Sequence, residues 1–146
     1  MNPQQHATIL SKNQAPSLIK LCACMVYELL TIIALCIVFA GIFYGIFGDA
    51  TEGVRRLFQQ VFLWAILGIY YLWCWTKSGQ TVAMQAWHIK VVTQDNAPLS
   101  MQMALRRYVL ASLSLVLCGL GFLWVIVDKD RLFLHDRLLK CKIIIA

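Results

Sequence analysis

The chain has 146 residues, 60% of them apolar, with a mean hydropathy of +0.70 and a formal net charge of +6. This composition excludes an ordinary soluble domain and predicts a small multi-span protein whose main partner is the lipid bilayer. The basic residues lie mostly at the flanks of apolar runs, where membrane proteins keep them, so the positive charge does not indicate nucleic-acid binding.

In chain order, residues 1–17 form a polar N-terminal tail and residues 18–146 form the membrane domain. The first apolar run, residues 21–47, is longer than the ~20 residues that cross a bilayer, and it predicts a helix from Ser17 to Phe47. After a turn, the stretch from Leu57 to Trp75 predicts a second span that ends in aromatic side chains typical of a membrane interface.

Residues 87–92 alternate large and polar side chains and meet a turn cluster at residues 94–98. They predict a short β-strand followed by a hairpin turn. Thr81 is expected to cap a short helix before this strand. Residues 140–146 alternate in the same way, so the two strands could pair.

Residues 108–127 have two interpretations: they are long enough to span once, yet Gly119 and Gly121 interrupt them. A single crossing would divide the Lys and Arg residues almost evenly between the two sides. A helical hairpin bent at the glycines leaves only Arg55 and Arg56 outside, which the positive-inside rule favours. We therefore predict an all-α membrane protein with two transmembrane helices, a bent helical hairpin, a small cytoplasmic β element and both termini in the cytoplasm.

Glu28 is the strongest functional lead because it is the one charged residue in the first apolar run. A carboxylate in hydrocarbon costs several kcal/mol, so it must be neutral, paired or exposed to water. Two roles stay open: an ion- or proton-binding carboxylate, and a structural polar lock between helices. Its candidate partners are Lys20, two turns earlier, and Arg106 or Arg107, if the first hairpin arm begins near Leu99.

Five blocks of sequence occur in a recognisable order. They are WTKSGQT at 75–81, AWHIKV at 86–91, ALRRY at 104–108, GLGFLW at 119–124 and HDRL at 135–138. Through these blocks, residues 20–145 resemble the RDD family of bacterial integral membrane proteins.

That family is named for an arginine at the start of the first helix, an aspartate within this helix and a second aspartate further on. The resemblance puts Lys20 in or next to the place of the arginine, Glu28 in that of the first aspartate and Asp136 in that of the second. Ala83 stands where a glycine is usual, and residues 140–141 replace a Gly-Thr pair. Lysine lacks the planar guanidinium fork of arginine, so Lys20 is a departure in chemistry as well.

The resemblance implies a membrane protein for which transport of a cation or an unidentified ligand is suggested. We expect Glu28 to be the membrane carboxylate, with Lys20, Arg106, Arg107 and Asp136 as its polar companions. Asp136 would close a cytoplasmic cluster with one of the arginines and gate access to Glu28; alternatively, it forms a solvated ion pair or caps a helix. The alternative for the whole protein is a non-transport scaffold or an accessory subunit of a larger membrane complex.

The sequence has no HExxH motif and no Ser-His-Asp order with supporting motifs, so we expect neither enzymatic activity nor a cofactor. His88 and His135 are expected to be interface residues rather than metal ligands. With so few spans, a homo-oligomer is a natural corollary of transport, whereas the accessory role implies a larger membrane protein as partner. The expected location is the bacterial inner membrane.

Overall fold

The computed structural model describes residues 15–49, 52–117, 124, 126–128 and 132–146. Its helices are α1 (Leu18–Phe47), α2 (Gly53–Lys77), α3 (Val82–Ala86), α4 (Met101–Val116) and α5 (Leu134–Leu138), and its strands are β1 (Ile89–Thr93) and β2 (Cys141–Ile145). The polar tail, up to residue 14, and the two glycines of the predicted bend lie outside the described residues.

Helices α1 and α2 form an antiparallel pair, and both are long and apolar enough to cross a membrane. The Ser17 hydroxyl accepts a hydrogen bond from the backbone N–H of Lys20 and starts α1, and Gly48, with φ of 75°, ends it. Near the turn, Phe43 packs against Phe62, with ring centroids 5.5 Å apart. The predicted bounds of both helices are therefore confirmed to within a few residues.

Helix α4 runs antiparallel to α2 and lies close to it. It begins at Met101, and Ser100 caps it. This start is close to Leu99, where the first hairpin arm must begin if Arg106 and Arg107 are to approach Glu28. The Tyr108 hydroxyl donates to the Trp64 carbonyl at 2.7 Å. A Cβ atom at Gly68 would lie 3.0 Å from the Tyr108 ring, so glycine at this position permits the close approach of the two helices.

Strands β1 and β2 form a two-stranded antiparallel sheet in which Ile89 pairs with Ile145 and Thr93 with Cys141. The predicted pairing is confirmed. The turn after β1 leads into α4 rather than into a returning strand, and the partner comes from the C-terminal end. The chain thus leaves the sheet after β1 and returns to it at β2.

The hydrophobic core lies at the end of the helix pair that carries the sheet. It combines residues of the first turns of α1, the last turns of α2, the middle of α4 and both strands. Its members include Leu21, Cys24, Tyr71, Trp75, Met84, Ile89, Val91, Ala104, Tyr108, Phe133, Cys141 and Ile143. We call this region the packed end, and the candidate site lies within it.

Candidate functional site

An ion pair between α4 and α5 forms the centre of the packed end. Arg107 donates from Nε to Oδ1 of Asp136 at 2.6 Å and from an Nη atom to Oδ2 at 3.0 Å. The side chains are 6% and 0% exposed, respectively. The ion pair of Asp136 is therefore buried rather than solvated, and its bidentate geometry fixes the orientation of the guanidinium.

Aromatic rings cover this pair on two sides. The guanidinium carbon of Arg107 lies 4.2 Å from the centroid of the Trp75 ring, in cation–π geometry. His135 is buried, and its Nε2 lies 3.7 Å from Oδ1 of Asp136. The imidazole also stacks on Phe133 at an interplanar angle of 8°. The expectation that His135 is an interface residue is therefore wrong, because its ring packs inside the cluster.

The electrostatics of the cluster keep the pair ionised. Burial would raise the pKa of Asp136, but the Arg107 charge and its hydrogen bonds outweigh burial and hold this pKa below its ordinary value. Burial lowers the pKa of Arg107, yet the Asp136 carboxylate more than offsets this and raises it. For His135, burial dominates and lowers the pKa to about 4, so the imidazole is neutral at pH 7.

Glu28 lies in α1 beside the turn that links α2 to α3. Its Oε2 accepts a hydrogen bond from the Thr81 hydroxyl at 2.7 Å. The Thr81 oxygen in turn accepts from the backbone N–H of Met84 and caps α3, as the sequence predicts. The same threonine therefore starts one helix and binds the acid of another.

The second carboxylate oxygen of Glu28, Oε1, is buried and accepts no hydrogen bond from the described residues. The Tyr71 hydroxyl of α2 lies beside the same carboxylate as a second hydrogen-bonding group besides Thr81, and Arg107 lies close enough for its charge to interact with that of Glu28. Glu28 and the Arg107–Asp136 pair are thus neighbouring parts of one polar region, although no described ion pair joins them.

Two of the predicted site residues lie elsewhere. Arg106 lies on the outward face of α4 and is exposed. Lys20 is half-buried in the first turn of α1. Among the described residues, neither forms an ion pair with Glu28 or Asp136. The structure therefore brings together Glu28, Arg107 and Asp136.

Sequence reasoning missed three contributors to this region. The sequence predicts that Tyr71 and Trp75 are lipid-facing or interface aromatics, but both are buried. For Thr81 the cap was predicted, but not the bond to Glu28. In each case the missing information is the partner residue, which lies far away in the sequence. Thr81 and Glu28, for example, are 53 residues apart, so no local pattern contains both.

The described residues contain no group of three or more His, Cys, Asp or Glu side chains that could hold a metal ion. The chemistry available to Glu28 is that of a single carboxylate, which can bind a proton or contribute one ligand to a small cation. The remaining ligands would have to come from hydroxyls, backbone carbonyls or water.

The family model described as RDD family matches residues 16–140, which is most of the chain. No curated protein and no solved structure matches it.

Proposed function

Because the chain belongs to the RDD family and has two apolar helices of membrane-spanning length, we propose that it takes part in the transport of a cation or small solute across the bacterial inner membrane. Glu28 is the carboxylate that binds the transported ion or proton in this proposal. The observation that carries it is the buried Oε1 atom, which accepts no hydrogen bond from the described residues. Buried polar atoms are nearly always satisfied, and an open acceptor in a membrane span is a place for a proton or a small cation.

The proposed topology is multi-pass, with both termini in the cytoplasm. The pairing of β1 with β2 supports it, because two paired strands lie on the same side of a membrane. The segment between them must then return to the side from which it starts, as a re-entrant hairpin does. The exposed Arg55 and Arg56, at the start of α2, lie at the opposite end of the helix pair.

Arg107 supplies a gate in this mechanism. While Asp136 binds Nε and one Nη of the guanidinium, the positive charge stays near Glu28 without forming an ion pair with it. Opening the pair would free Arg107 to turn toward the Glu28 carboxylate and displace a bound cation. Competition between the two carboxylates for one guanidinium would thereby couple the cytoplasmic cluster to the membrane site.

The test is ion flux in vesicles that contain the purified protein. Imposed gradients of Na⁺, K⁺ or H⁺ would be followed with ion-sensitive dyes in wild type and in Glu28→Gln. We expect Glu28→Gln to abolish the flux, because glutamine has no charge to bind a cation and no site to carry a proton. Glu52→Gln is the matched control, since Glu52 is an exposed acid that precedes α2, and it should keep the flux. An unchanged flux in Glu28→Gln would refute the transport role.

The competing function is a scaffold or an accessory subunit, and the bond between Thr81 and Glu28 favours it. This bond joins α1 to the start of α3, so Glu28 also qualifies as a structural lock. A larger membrane protein that purifies with the chain in fixed stoichiometry, together with an absence of flux, would support this alternative. A homo-oligomer is part of the transport proposal, because two full spans enclose little space for a pathway.

A further inference from the structure

A groove lies between α4 and the turn that joins α5 to β2. It has a volume of about 380 Å³ and is lined by Leu105, Arg106, Val109, Leu110 and Leu139. Binding sites for small molecules have volumes of about 300–1,000 Å³, so the groove is large enough to hold a ligand. Because all lining residues except Arg106 are aliphatic, its occupant must be apolar over most of its length.

Positive charge borders this groove. Arg106 is exposed, and no carboxylate of the described residues forms an ion pair with it. Lys140, also exposed, directly follows the lining residue Leu139. An aliphatic groove with two cations at its border, neither in an ion pair with a described carboxylate, is complementary to a molecule that combines an anionic group with a hydrocarbon chain.

The contacts of α4 with α2 show where the groove lies along the α1–α2 pair. Next to Arg106, the Arg107 guanidinium lies over Trp75, two residues before α2 ends at Lys77. Further along α4, the hydroxyl of Ser112 accepts a hydrogen bond from the Trp64 indole, three turns earlier in α2. Arg106 therefore lies level with the end of α2, and the aliphatic lining at residues 109–110 lies further inward along the helix pair.

We propose that this groove binds one anionic phospholipid, with the phosphate at Arg106, the start of one acyl chain against Leu105 and Leu139, and its continuation along Val109 and Leu110. The order of charge and apolar surface along α4 matches that of a lipid in a bilayer, with the headgroup at the boundary and the chain inside. Basic side chains at the cytoplasmic surface attract anionic lipids in the same way. The proposal goes beyond the transport role and does not depend on it, because no residue of the groove bonds to Glu28.

Native mass spectrometry of the full chain in detergent tests the proposal. The protein would be titrated with phosphatidylglycerol and, separately, with phosphatidylcholine of identical acyl chains. We expect one retained phosphatidylglycerol per chain and an affinity for phosphatidylcholine that is weaker by about fivefold, the effect of one basic residue at a membrane surface. Equal retention of the two lipids would overturn the proposal.

Three variants identify the site. Arg106→Gln should remove the preference for phosphatidylglycerol, whereas Arg56→Gln should keep it, since Arg56 is an exposed arginine at the far end of α2. Leu139→Trp fills the groove and should weaken the retention of both lipids, with circular dichroism as the check on folding. A preference that survives in Arg106→Gln would refute the phosphate contact.

Two other occupants would give different results. If a second copy of the chain covers the groove, the spectrum shows a dimer that retains no lipid, and Leu139→Trp dissociates it. If the headgroup alone is bound, soluble glycerol phosphate displaces the phospholipid. Either result would overturn the assignment of the groove to a lipid with its acyl chain.

Discussion

The two ends of the α1–α2 pair differ in what surrounds their side chains. At the packed end, residues from both helices, α4 and the sheet bury one another around an ionised pair. The other end, which we call the apolar shaft, comprises residues 29–47 of α1 and 53–67 of α2. Within it, Phe43 is the one buried side chain, and large residues such as Ile37, at 68% exposure, point outward.

This difference indicates what stabilises each region. The packed end has an interior of mutually buried side chains, and the buried charges of Arg107 and Asp136 pair with each other within the chain. The apolar shaft exposes more contiguous apolar surface than a soluble protein tolerates, so it requires an apolar environment. We therefore expect substitutions at the packed end to change the free energy of unfolding in detergent, and substitutions in the shaft to leave it nearly unchanged.

The largest effect is expected from Asp136→Asn. Removing one charge of a buried pair leaves Arg107 uncompensated, which costs about 3–5 kcal/mol. Denaturant titration in micelles would measure the loss, and Asp95→Asn, at an exposed acid in the turn after β1, should change stability by less than about 0.5 kcal/mol. The double substitution Arg107→Met with Asp136→Leu should recover most of the loss, because it removes both charges. Failure of this rescue would show that the pair is needed for more than charge balance.

Acid is expected to destabilise the packed end through His135. Burial lowers the pKa of His135 to about 4, whereas the unfolded chain titrates near the ordinary value of 6.5. The unfolded state therefore binds more protons between these values, so stability is full above about pH 6.5 and falls by about 3 kcal/mol as the pH drops through 4.

The measurement is the slope of unfolding free energy against pH. His135→Gln should flatten this slope between about pH 6.5 and 4. His88→Gln is the control, because His88 is exposed, and it should leave the slope unchanged. A slope that persists in His135→Gln would assign the acid sensitivity to another group.

A smaller loss is expected from Thr81→Val. This change removes both the cap of α3 and the bond to Glu28, for about 2 kcal/mol. Ser100→Ala is matched to it, since Ser100 caps α4 through the same kind of bond but has no hydrogen bond to a described carboxylate, and it should cost about 1 kcal/mol. Equal losses would mean that the bond between Thr81 and Glu28 adds no stability.

The smallest effect is expected in the apolar shaft. Ile37→Ala should change the free energy of unfolding by less than about 0.5 kcal/mol, because the side chain has few protein contacts to lose. Leu21→Ala, which truncates a side chain that is 2% exposed at the packed end, should cost about 2–5 kcal/mol. Comparable losses at the two positions would contradict the distinction between the regions.

Local patterns in the sequence predict α1, α2, the cap of α3 and the strand pair. The length of the apolar runs defines α1 and α2, and the period-two alternation defines both strands. Thr81 is recognisable as a cap because the bond that it makes to α3 spans only three residues. These features depend on near neighbours, which a single sequence contains.

The site depends on distant neighbours, and here the sequence leaves choices open. Arg106 and Arg107 are adjacent and chemically identical, but they project about 100° apart on a helix. Only the packing of α4 against α2 and α5 decides that Arg107 faces Asp136 while Arg106 faces outward. In the same way, Trp75 looks like an interface residue until a guanidinium is placed over its ring.

Gly79, between α2 and α3, has a mechanical consequence for the whole packed end. Its φ is +71°, and an added Cβ atom would lie 2.7 Å from the carbonyl oxygen of Val91, so the backbone crosses the free edge of β1 in close contact. The Val91 N–H donates to the Gly79 carbonyl at 2.8 Å, and the side-chain amide of Gln80 donates to the Ile89 carbonyl. One backbone bond and one side-chain bond therefore tie the end of α2 to the sheet. If α2 tilted, β1 would move with it, and the motion would reach β2 at the C-terminal end of the chain through the strand pairing.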